Sequence, residues 1–386
     1  MPSFAPPSDP HRPLALHIGI KYGSGGEGRV FSELFKYLPT AGVDAIGAVA
    51  GPDDVSQRTD GKVVSFAADG AGMAHRVLGA RRTIANILEQ SKPDLVASHF
   101  ALYAAPALDL MKSLPKITHF HGPWAGESKQ EGGSSAAAFA KAQVENYVYR
   151  SADRVIVLSK AFAELAAVRY SIQPERIRLV PGSVDIERFS LIGSREEVRL
   201  RLGLPTDRPI LLSVRRLVQR MGLSTLIEAM KAISSAIPDV LLCIGGEGSL
   251  RASLEQQVRE QHLTQNVRFL GYIEEVDLPW LYRASDINVV PTLALEGFGL
   301  VAAEALAAGT PSMVTPIGGL PEVVTSLSAS LVFRSSSAED LADGLIAGLL
   351  GKMALPSQSA CEAYAREHFA STLMAERTVA VYRELL

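Results

Sequence analysis

Short apolar runs alternate with longer segments of helical periodicity along most of the chain. In the first half, the apolar runs that predict strands are Leu14–Ile20, Ala45–Val49, Leu95–Ser98, Lys116–His119, Arg154–Val157 and Ile177–Val180. The segments that predict helices between them are Gly28–Leu38, Gly72–Gln90, Ala136–Arg150 and Ala161–Tyr170. This alternation is typical of a doubly wound α/β domain with a buried parallel sheet.

A polar stretch closed by prolines, SLIGSREEVRLRLGLPTDRP, begins at Ser190 and predicts a domain boundary near Phe189. A second alternating series follows, with strands predicted at Ile210–Val214, Val240–Ile244, Val267–Leu270, Ile287–Val290 and Pro311–Val314. Its predicted helices are Ser224–Ile233, Ser249–Gln261, Leu278–Ala284, Gly299–Ala308, Ala338–Leu350 and Leu355–Leu386. Two successive α/β halves predict a bilobal enzyme whose ligands bind at the carboxyl ends of the strands.

The composition limits the class of protein but does not identify a binding partner. The 386 residues carry a net charge of −3, which gives no general attraction to nucleic acid. Cys243 and Cys361 lie far apart in sequence and offer neither a disulfide framework nor metal-ligand spacing. Residues 1–12 are rich in proline, resemble no signal peptide, and predict a disordered lead-in. With no apolar run of about 20 residues, we expect a cytoplasmic protein.

A glycine-rich loop follows the first predicted strand. Gly23, Gly25 and Gly28 match the dinucleotide pattern G-x-G-x-x-G between an apolar run and a helix, as an NAD enzyme requires. However, two residues separate the run from Gly23, and Glu27 would place a carboxylate beside the pyrophosphate. The pattern is weak evidence in a chain with 32 glycines.

The densest chemical signal is PTLALEGFGLVAAEALAAGTPSMVTPIGGLPEVV, which begins at Pro291. Glu296 and Glu304 are eight residues apart, or about 12 Å in a continuous helix. Gly297 and Gly299 would let backbone N–H groups at a helix N-terminus approach a diphosphate between the two carboxylates. The competing interpretation is an amphipathic helix with a solvent-facing glutamate.

This stretch resembles the Glu-x7-Glu signature of retaining nucleotide-sugar glycosyltransferases of family 4, which have the GT-B fold. Other segments occur in the family's order: VIVLSKAF at Val155, RIRLVPGSVDIERF at Arg176, LLSVRRLVQRMGLSTLIEAM at Leu211, LLCIGGEGSL at Leu241, VRFLGYI at Val267, LYRASDINVVP at Leu281 and TPIGGLPEVV at Thr315. The resemblance implies two Rossmann-like domains facing across a cleft. Residues 13–188, with a C-terminal helix from about 368 to 386 crossing back, would bind the acceptor, and residues 189–367 the nucleotide sugar.

The resemblance also implies roles for single residues. Arg216 matches the arginine that binds the diphosphate, Glu304 the carboxylate that binds the ribose, and Glu296 the residue at the sugar hydroxyls. Further donor-binding positions that the resemblance implies are Gly25, Gly26, Gly246, Gly248, Tyr272, Gly297, Phe298, Gly299 and Leu300. His121 matches the functional histidine of the first domain, with His119 and His99 as secondary candidates. Glu27 and Glu127 are candidates on the acceptor side.

One position departs from the family. Where relatives have a lysine before glycine, this chain has Met221 before Gly222. Arg215 or Arg220 would then supply the second charge, since guanidinium groups bind phosphate in bidentate fashion. For each, a solvated surface arginine is an equally weighted alternative.

The expected function is transfer of a hexose from a nucleotide sugar, with UDP-glucose or a related UDP-hexose as donor and GDP-mannose as the alternative. The resemblance implies retention of anomeric configuration, an acceptor in exopolysaccharide, lipopolysaccharide or glycolipid synthesis, and neither metal nor other cofactor. Arg81 and Arg82 suggest peripheral membrane contact through the first domain, and AGESKQEGGSSAAAF after His121 is expected to be a mobile loop. A non-transferase GT-B enzyme such as an epimerase, or a silent nucleotide-sugar-binding protein, is the alternative.

Overall fold

The computed structural model describes residues 12–23 and 25–386. The chain divides into two compact units, Met1–Ser183 with Ser371–Leu386, and Val184–Ala370. Apart from Arg12, the predicted disordered lead-in lies outside the described residues.

The first unit is built on a seven-stranded sheet in the order β3-β2-β1-β4-β5-β6-β7. Its strands are β1 (Leu14–Ile18), β2 (Asp44–Val49), β3 (Val63–Ser65), β4 (Leu95–Ser98), β5 (Lys116–Phe120), β6 (Arg154–Val157) and β7 (Ile177–Leu179). All neighbouring strands pair in parallel, and the order reverses between β1 and β4. Helices cover both faces, which is why the central strands are apolar runs rather than alternating patterns.

The helices of the first unit are α1 (Gly25–Tyr37), α2 (Val55–Arg58), α3 (Met73–Ser91), α4 (Ala101–Ala104), α5 (Trp124–Gln130), α6 (Ser135–Ser151) and α7 (Lys160–Tyr170). Helix α1 begins three residues before the predicted start at Gly28. The segment after His121, predicted as a mobile loop, instead contains α5 and the first turns of α6. The loop prediction was therefore wrong for α5, whereas α6, which Ser134 caps by accepting from the Ala137 N–H, agrees with the predicted helix Ala136–Arg150 to within one residue at each end.

The second unit is built on a five-stranded parallel sheet in the order β10-β9-β8-β11-β12. Its strands are β8 (Ile210–Val214), β9 (Leu241–Gly245), β10 (Val267–Gly271), β11 (Ile287–Val290) and β12 (Ser312–Val314). Its helices are α8 (Ile186–Phe189), α9 (Arg195–Leu202), α10 (Leu223–Ala236), α11 (Arg251–Glu260), α12 (Leu278–Ala284), α13 (Leu300–Ala307), α14 (Leu320–Val324), α15 (Ala338–Leu349) and α16 (Gln358–Phe369). The order reverses between β8 and β11, the position where open α/β sheets bind ligands.

The predicted final helix Leu355–Leu386 is in fact two helices, α16 and α17 (Ser371–Arg383). Ala370 separates them with an extended backbone, φ −59° and ψ 139°. Helix α17 belongs to the first unit, where it packs against α1, as expected for a C-terminal helix that returns to the first domain.

Candidate active site

Three polar side chains meet at the switch point of the second sheet. Arg215 directly follows β8, and Thr292 lies two residues beyond β11. The Arg215 Nη2 atom donates to Thr292 Oγ1 at 2.8 Å and also to the Glu296 carboxylate. The Thr292 hydroxyl donates to Glu296 Oε2 at 3.2 Å. Because β8 and β11 are neighbours, two loops distant in sequence bring a cation and an anion together.

The Arg215 guanidinium also lies against the methionine that replaces the family lysine. Its Nη2 atom is 2.8 Å from the sulfur of Met221, and both side chains are buried. The Nε atom of Arg215 is buried and has no hydrogen-bond partner among the described residues. By contrast, Arg216 is exposed. Because Arg215 is buried, the interpretation of this residue as a solvated surface arginine is wrong.

Arg220 holds the loop that carries Glu296. Its Nη1 atom donates to the Leu295 carbonyl at 3.1 Å, and its own carbonyl accepts from the Leu293 N–H at 2.8 Å. Leu295 has a left-handed backbone with φ 54°, a conformation that a branched side chain adopts only when its surroundings enforce it. Arg220 thus contacts the backbone of the loop that carries Glu296.

Glu296 lies in the loop before α13, so only Glu304 of the predicted pair is helical. The estimate of about 12 Å for a continuous helix therefore does not describe this pair. The Glu296 carbonyl accepts from the Gly319 N–H at 2.9 Å, and a Cβ at Gly318 would come within 2.0 Å of that carbonyl. The backbone at Glu296 is fixed by a close approach that only glycine permits.

The other predicted residues of this loop face inward. Gly297, Phe298 and Gly299 are buried, and the Phe298 ring packs edge-to-face on Phe369 at 5.4 Å between centroids. The Phe298 side chain therefore belongs to the core, and only its backbone is available to a ligand. Leu300, the first residue of α13, is partly buried.

Glu304 is buried on α13 and accepts a hydrogen bond from the Tyr282 hydroxyl at 3.0 Å. A carboxylate has room for further donors after accepting one such bond. Tyr282, on α12, carried no signal in the sequence because its role depends on the packing of two helices.

The glycines after β9 pack against the segment that follows β8. The Arg215 N–H donates to the Gly245 carbonyl at 2.9 Å, and the Leu217 N–H donates to the Glu247 carbonyl at 2.8 Å. A Cβ at Gly246 would lie 2.0 Å from the Arg215 carbonyl. These glycines therefore fix the position of Arg215. Gly248 is exposed, and so is Tyr272, which follows β10.

The glycine-rich loop of the first unit folds back on itself through Glu27. Glu27 Oε1 accepts from the Ile20 N–H at 2.9 Å, and the Gly23 N–H donates to the Gly28 carbonyl at 2.9 Å. Burial raises the pKa of Glu27 to about 8. Gly25 and Gly26 are the exposed first residues of α1.

His121 lies at the end of β5 and is partly buried. Its Nε2 atom is 3.1 Å from Nδ1 of His99, and burial lowers the pKa of His121 to about 4, so the ring is neutral. A Cβ at Gly122 would lie 3.2 Å from Glu127 Oε1, so the Glu127 carboxyl group lies beside Gly122, the residue that follows His121. The first unit thus places a neutral imidazole and a carboxyl group near the carboxyl end of β5.

Two family models together match nearly the whole chain. The model described as glycosyl transferases group 1 matches residues 194–368, and the model described as glycosyltransferase family 4 matches residues 24–188. The chain belongs to glycosyltransferase family 4. The predicted family is therefore confirmed.

Curated relatives of this family 4 glycosyltransferase carry several activities. A glycogen synthase from Mycobacterium tuberculosis is 30% identical over 292 residues, which cover 74% of this chain and 66% of that protein. A mannosylfructose-phosphate synthase from Agrobacterium fabrum is 30% identical over 209 residues, which cover 52% of this chain and 45% of that protein. The match spans less than two thirds of the length of both relatives.

Solved structures confirm the GT-B class of this glycosyltransferase. A sucrose-phosphate synthase from Thermosynechococcus elongatus superimposes with a TM-score of 0.80 at 23% identity, covering 97% of this chain and 99% of that one. HepE from Anabaena, solved with UDP and glucose, gives a TM-score of 0.79 at 18% identity, covering 97% and 100%. At such identities the likeness shows the fold, two α/β domains each with a parallel sheet.

Within residues 12–23 and 25–386, no helix is long and apolar enough to span a bilayer. The same residues contain no group of three or more His, Cys, Asp or Glu side chains arranged to hold a metal ion.

Proposed function

We propose that the protein transfers a hexose from a nucleotide sugar to a hydroxyl of a saccharide or lipid-linked saccharide, with retention of configuration. The observation that carries the proposal is the cluster of Arg215, Thr292 and Glu296 at the switch point of the second sheet. UDP-glucose or a related UDP-hexose is the proposed donor, supported by the structural neighbour solved with UDP and glucose.

The diphosphate of the donor needs fixed positive charge, because its terminal phosphate gains charge as the sugar departs. Arg216 is exposed and able to reach a ligand. Arg215 supplies the second charge in our proposal, because its guanidinium lies against Met221 whereas Arg220 is engaged with the Leu295 carbonyl. The hydrogen bond from Arg215 would also hold the Glu296 carboxylate in one orientation.

The two glutamates have separate tasks in this proposal. Glu304 accepts hydrogen bonds from the ribose hydroxyls, with the Tyr282 hydroxyl holding the carboxylate in place. Glu296 accepts from hydroxyls of the transferred sugar, and Arg215 and Thr292 fix its orientation. The backbone of residues 297–300 and the loop at Gly246 and Gly248 complete the proposed donor site.

In the first unit we assign His121 to a hydroxyl or phosphate oxygen of the donor sugar. As a neutral ring it presents one N–H donor and one acceptor nitrogen. Glu27 and Glu127 are assigned to the acceptor side, where carboxyl groups suit sugar hydroxyls. The exposed start of α1, at Gly25 and Gly26, offers backbone N–H groups to an anion.

The proposed reaction is a front-face substitution. The bond from the anomeric carbon to the phosphate oxygen breaks, the bond to the acceptor oxygen forms on the same face, and the acceptor proton moves to the departing phosphate oxygen. The nucleoside diphosphate and the new glycoside leave with atoms and charges balanced. Arg215 and Arg216 would stabilise the charge that develops on the phosphate. No metal enters this scheme.

A donor panel followed by product analysis tests the proposal. UDP-glucose, UDP-galactose, GDP-mannose and NAD are each added in a thermal unfolding assay, where a true donor at about 100 times its Kd should add about 2.7 kcal/mol of stability. Transfer to saccharide acceptors is then followed by NMR at the anomeric proton. An inverted linkage would overturn the retaining mechanism, and epimerised donor without transfer would favour a non-transferase enzyme. Donor binding without turnover would favour a silent binding protein.

The proposal also includes the cellular location of the enzyme. We propose a cytoplasmic enzyme that reaches lipid-linked acceptors at the inner face of a membrane, in exopolysaccharide, lipopolysaccharide or glycolipid synthesis. Of these two arginines on α3, Arg81 forms an ion pair with Asp109, whereas Arg82 is exposed and is the one we assign to a headgroup. Cosedimentation with vesicles containing anionic lipid, compared between the protein and Arg82→Ala, tests this contact.

A further inference from the structure

Four histidines and one tyrosine of the first unit form a single line of polar contacts. His121 Nε2 lies 3.1 Å from His99 Nδ1, and His99 Nε2 lies 3.0 Å from His17 Nδ1. The Tyr382 hydroxyl then lies 3.3 Å from His17 Nε2 and 3.3 Å from His119 Nε2. The line begins at the proposed substrate-binding histidine and ends on β5.

The register of three neighbouring strands explains how these rings meet. His17 on β1 pairs with Ala97 on β4, so His99, two residues further, projects from the same face. Ser98 of β4 pairs with Thr118 of β5, so the next residues, His99 and His119, lie side by side. Their rings stack with 4.2 Å between centroids. His121 follows two residues later on that face.

Two helices seal this face of the sheet. Phe31 and Phe35 of α1 pack edge-on against the His17 ring at 5.9 and 5.3 Å between centroids. Helix α17 delivers Tyr382, which is fully buried. The interior part of the line is therefore closed to water, with His17, His99 and His119 at most 4% exposed.

Burial keeps every ring in the line neutral. Desolvation lowers the pKa of His17 to about 3 and that of His121 to about 4, and it holds the pKa of His99 and His119 well below the usual range. A neutral imidazole has one N–H and one acceptor nitrogen. A ring with partners at both nitrogens must therefore donate to one neighbour and accept from the other.

Two arrangements satisfy every contact and also use the hydrogen of the Tyr382 hydroxyl, which is buried and whose hydrogen-bond contacts among the described residues are with His17 and His119. In the first, His121, His99 and His17 carry their proton on Nε2, and Tyr382 donates to His119, whose proton is on Nδ1. In the second, every bond reverses, so the first three rings are protonated on Nδ1 and His119 on Nε2. In both arrangements His119 has the opposite tautomer from the other three.

We propose that His99, His17 and Tyr382 are positioning residues that together set which ring nitrogen of His121 carries the proton. The inference rests on the proposed function in one respect, that His121 contacts the substrate. With the proton on Nδ1, His121 donates to a sugar or phosphate oxygen, and with the proton on Nε2 its Nδ1 accepts from a hydroxyl. The C-terminal helix α17 thereby reaches the site through Tyr382.

The first test needs neither substrate nor variant. Long-range ¹H–¹⁵N NMR spectra of the full chain labelled at histidine report the tautomer of each ring. We expect His17, His99 and His121 to share one tautomer and His119 to have the other. A mixed pattern among the first three, or a His119 tautomer equal to theirs, overturns the proposal. This measurement does not involve sugar transfer, so its result tests the tautomer proposal independently of the proposed function.

A matched pair of variants tests the coupling. Tyr382→Phe removes the hydroxyl from the line, and Tyr103→Phe removes one from a buried tyrosine that instead packs on Phe66 and Phe100. We expect the ¹⁵N shifts of His121 to move toward a tautomer average only in Tyr382→Phe. Its kcat should fall by about two- to tenfold, the loss of one neutral hydrogen bond, with donor KM unchanged.

Unchanged His121 shifts in a folded Tyr382→Phe protein would overturn the coupling. If that variant does not fold, the tautomer pattern of the unmodified protein decides the question alone.

Discussion

Arg215 donates to the carboxylate of Glu296, which joins the residue after β8 to the loop after β11. The same guanidinium nitrogen touches the Met221 sulfur. One arginine therefore contacts Met221, the position where the family resemblance implies a lysine, and also holds the acidic residue proposed to bind the sugar.

Removing this guanidinium should disable the enzyme. We expect Arg215→Ala to lower kcat by about 10²- to 10³-fold, the cost of losing one charged donor at a developing oxyanion. If Arg215 replaces the family lysine, Arg215→Ala combined with Met221→Lys should regain about tenfold or more of that loss, because the new ammonium restores a fixed charge beside Glu296. Steady-state transfer assays measure both.

Met221→Leu is the control for that experiment, because it changes the shape of the site without adding charge and should retain activity. A double variant no better than Arg215→Ala would show that Arg215 has another role, such as orienting Glu296 alone.

The carboxylate of Glu304 gives a second prediction, on donor affinity. We expect Glu304→Ala to lower kcat/KM by about 10- to 100-fold, because hydrogen bonds to a charged acceptor contribute about 1.5–3 kcal/mol. Tyr282→Phe should have a smaller effect, since it removes only the group that holds the carboxylate. A donor whose ribose lacks the 2′-hydroxyl should be disfavoured by the unmodified enzyme and not by Glu304→Ala. Equal discrimination in both would place Glu304 away from the ribose.

Much of the fold was predictable because buried parallel strands are continuous apolar runs. The bounds of β4, β6, β8 and β11 agree with the prediction. Strand β3 was missed because its apolar run consists of Val63 and Val64 alone, between Lys62 and Ser65, which is too short to indicate a strand. The C-terminal helix was predicted as continuous because Ala370 carries no helix-breaking signal, and the break arises where the chain passes between units.

The site was predictable only where a motif marks it. Glu296 and Glu304 stand out because of their spacing, whereas Thr292 and Tyr282 gain their roles from tertiary contacts that no local pattern encodes. His17 is an intermediate case. Its alignment with His99 follows from the pairing of β1 with β4, so a correct strand order would have identified it.

A third prediction concerns the close approach at Gly246. Gly246→Ala should destabilise the fold by several times the cost of Gly203→Ala, although both glycines have positive φ. A Cβ at Gly246 would meet the Arg215 carbonyl at 2.0 Å, whereas nothing lies within 4 Å of one at Gly203. The control should therefore lose only about 1–2 kcal/mol of backbone strain. Urea unfolding measures both free energies, and equal losses would mean that the Arg215 segment moves freely.

The last prediction concerns the pH dependence of stability above about pH 7, where Glu27 should dominate because the buried histidines are neutral in both the folded and the unfolded chain. Its pKa is raised to about 8 in the folded protein by burial, whereas an unfolded glutamate titrates near the model value 4.5. Between these values the unfolded chain binds fewer protons at this position than the folded chain. Above about pH 7 the free energy of unfolding should therefore fall as pH rises, with a slope of up to about 1.4 kcal/mol per pH unit, and level off above about pH 9.

Glu27→Gln tests this cause, because a neutral amide preserves the shape and cannot ionise. The variant should lose the decline in stability between about pH 7 and pH 9, while Glu89→Gln, on the exposed side of α3, should keep it. Urea unfolding at one-unit intervals of pH gives the three slopes. A decline that persists in Glu27→Gln would assign it to another group. A decline that disappears would mean that the carboxyl in the glycine-rich loop is protonated at neutral pH, and thus able to donate to an acceptor oxygen as well as to accept from the Ile20 N–H.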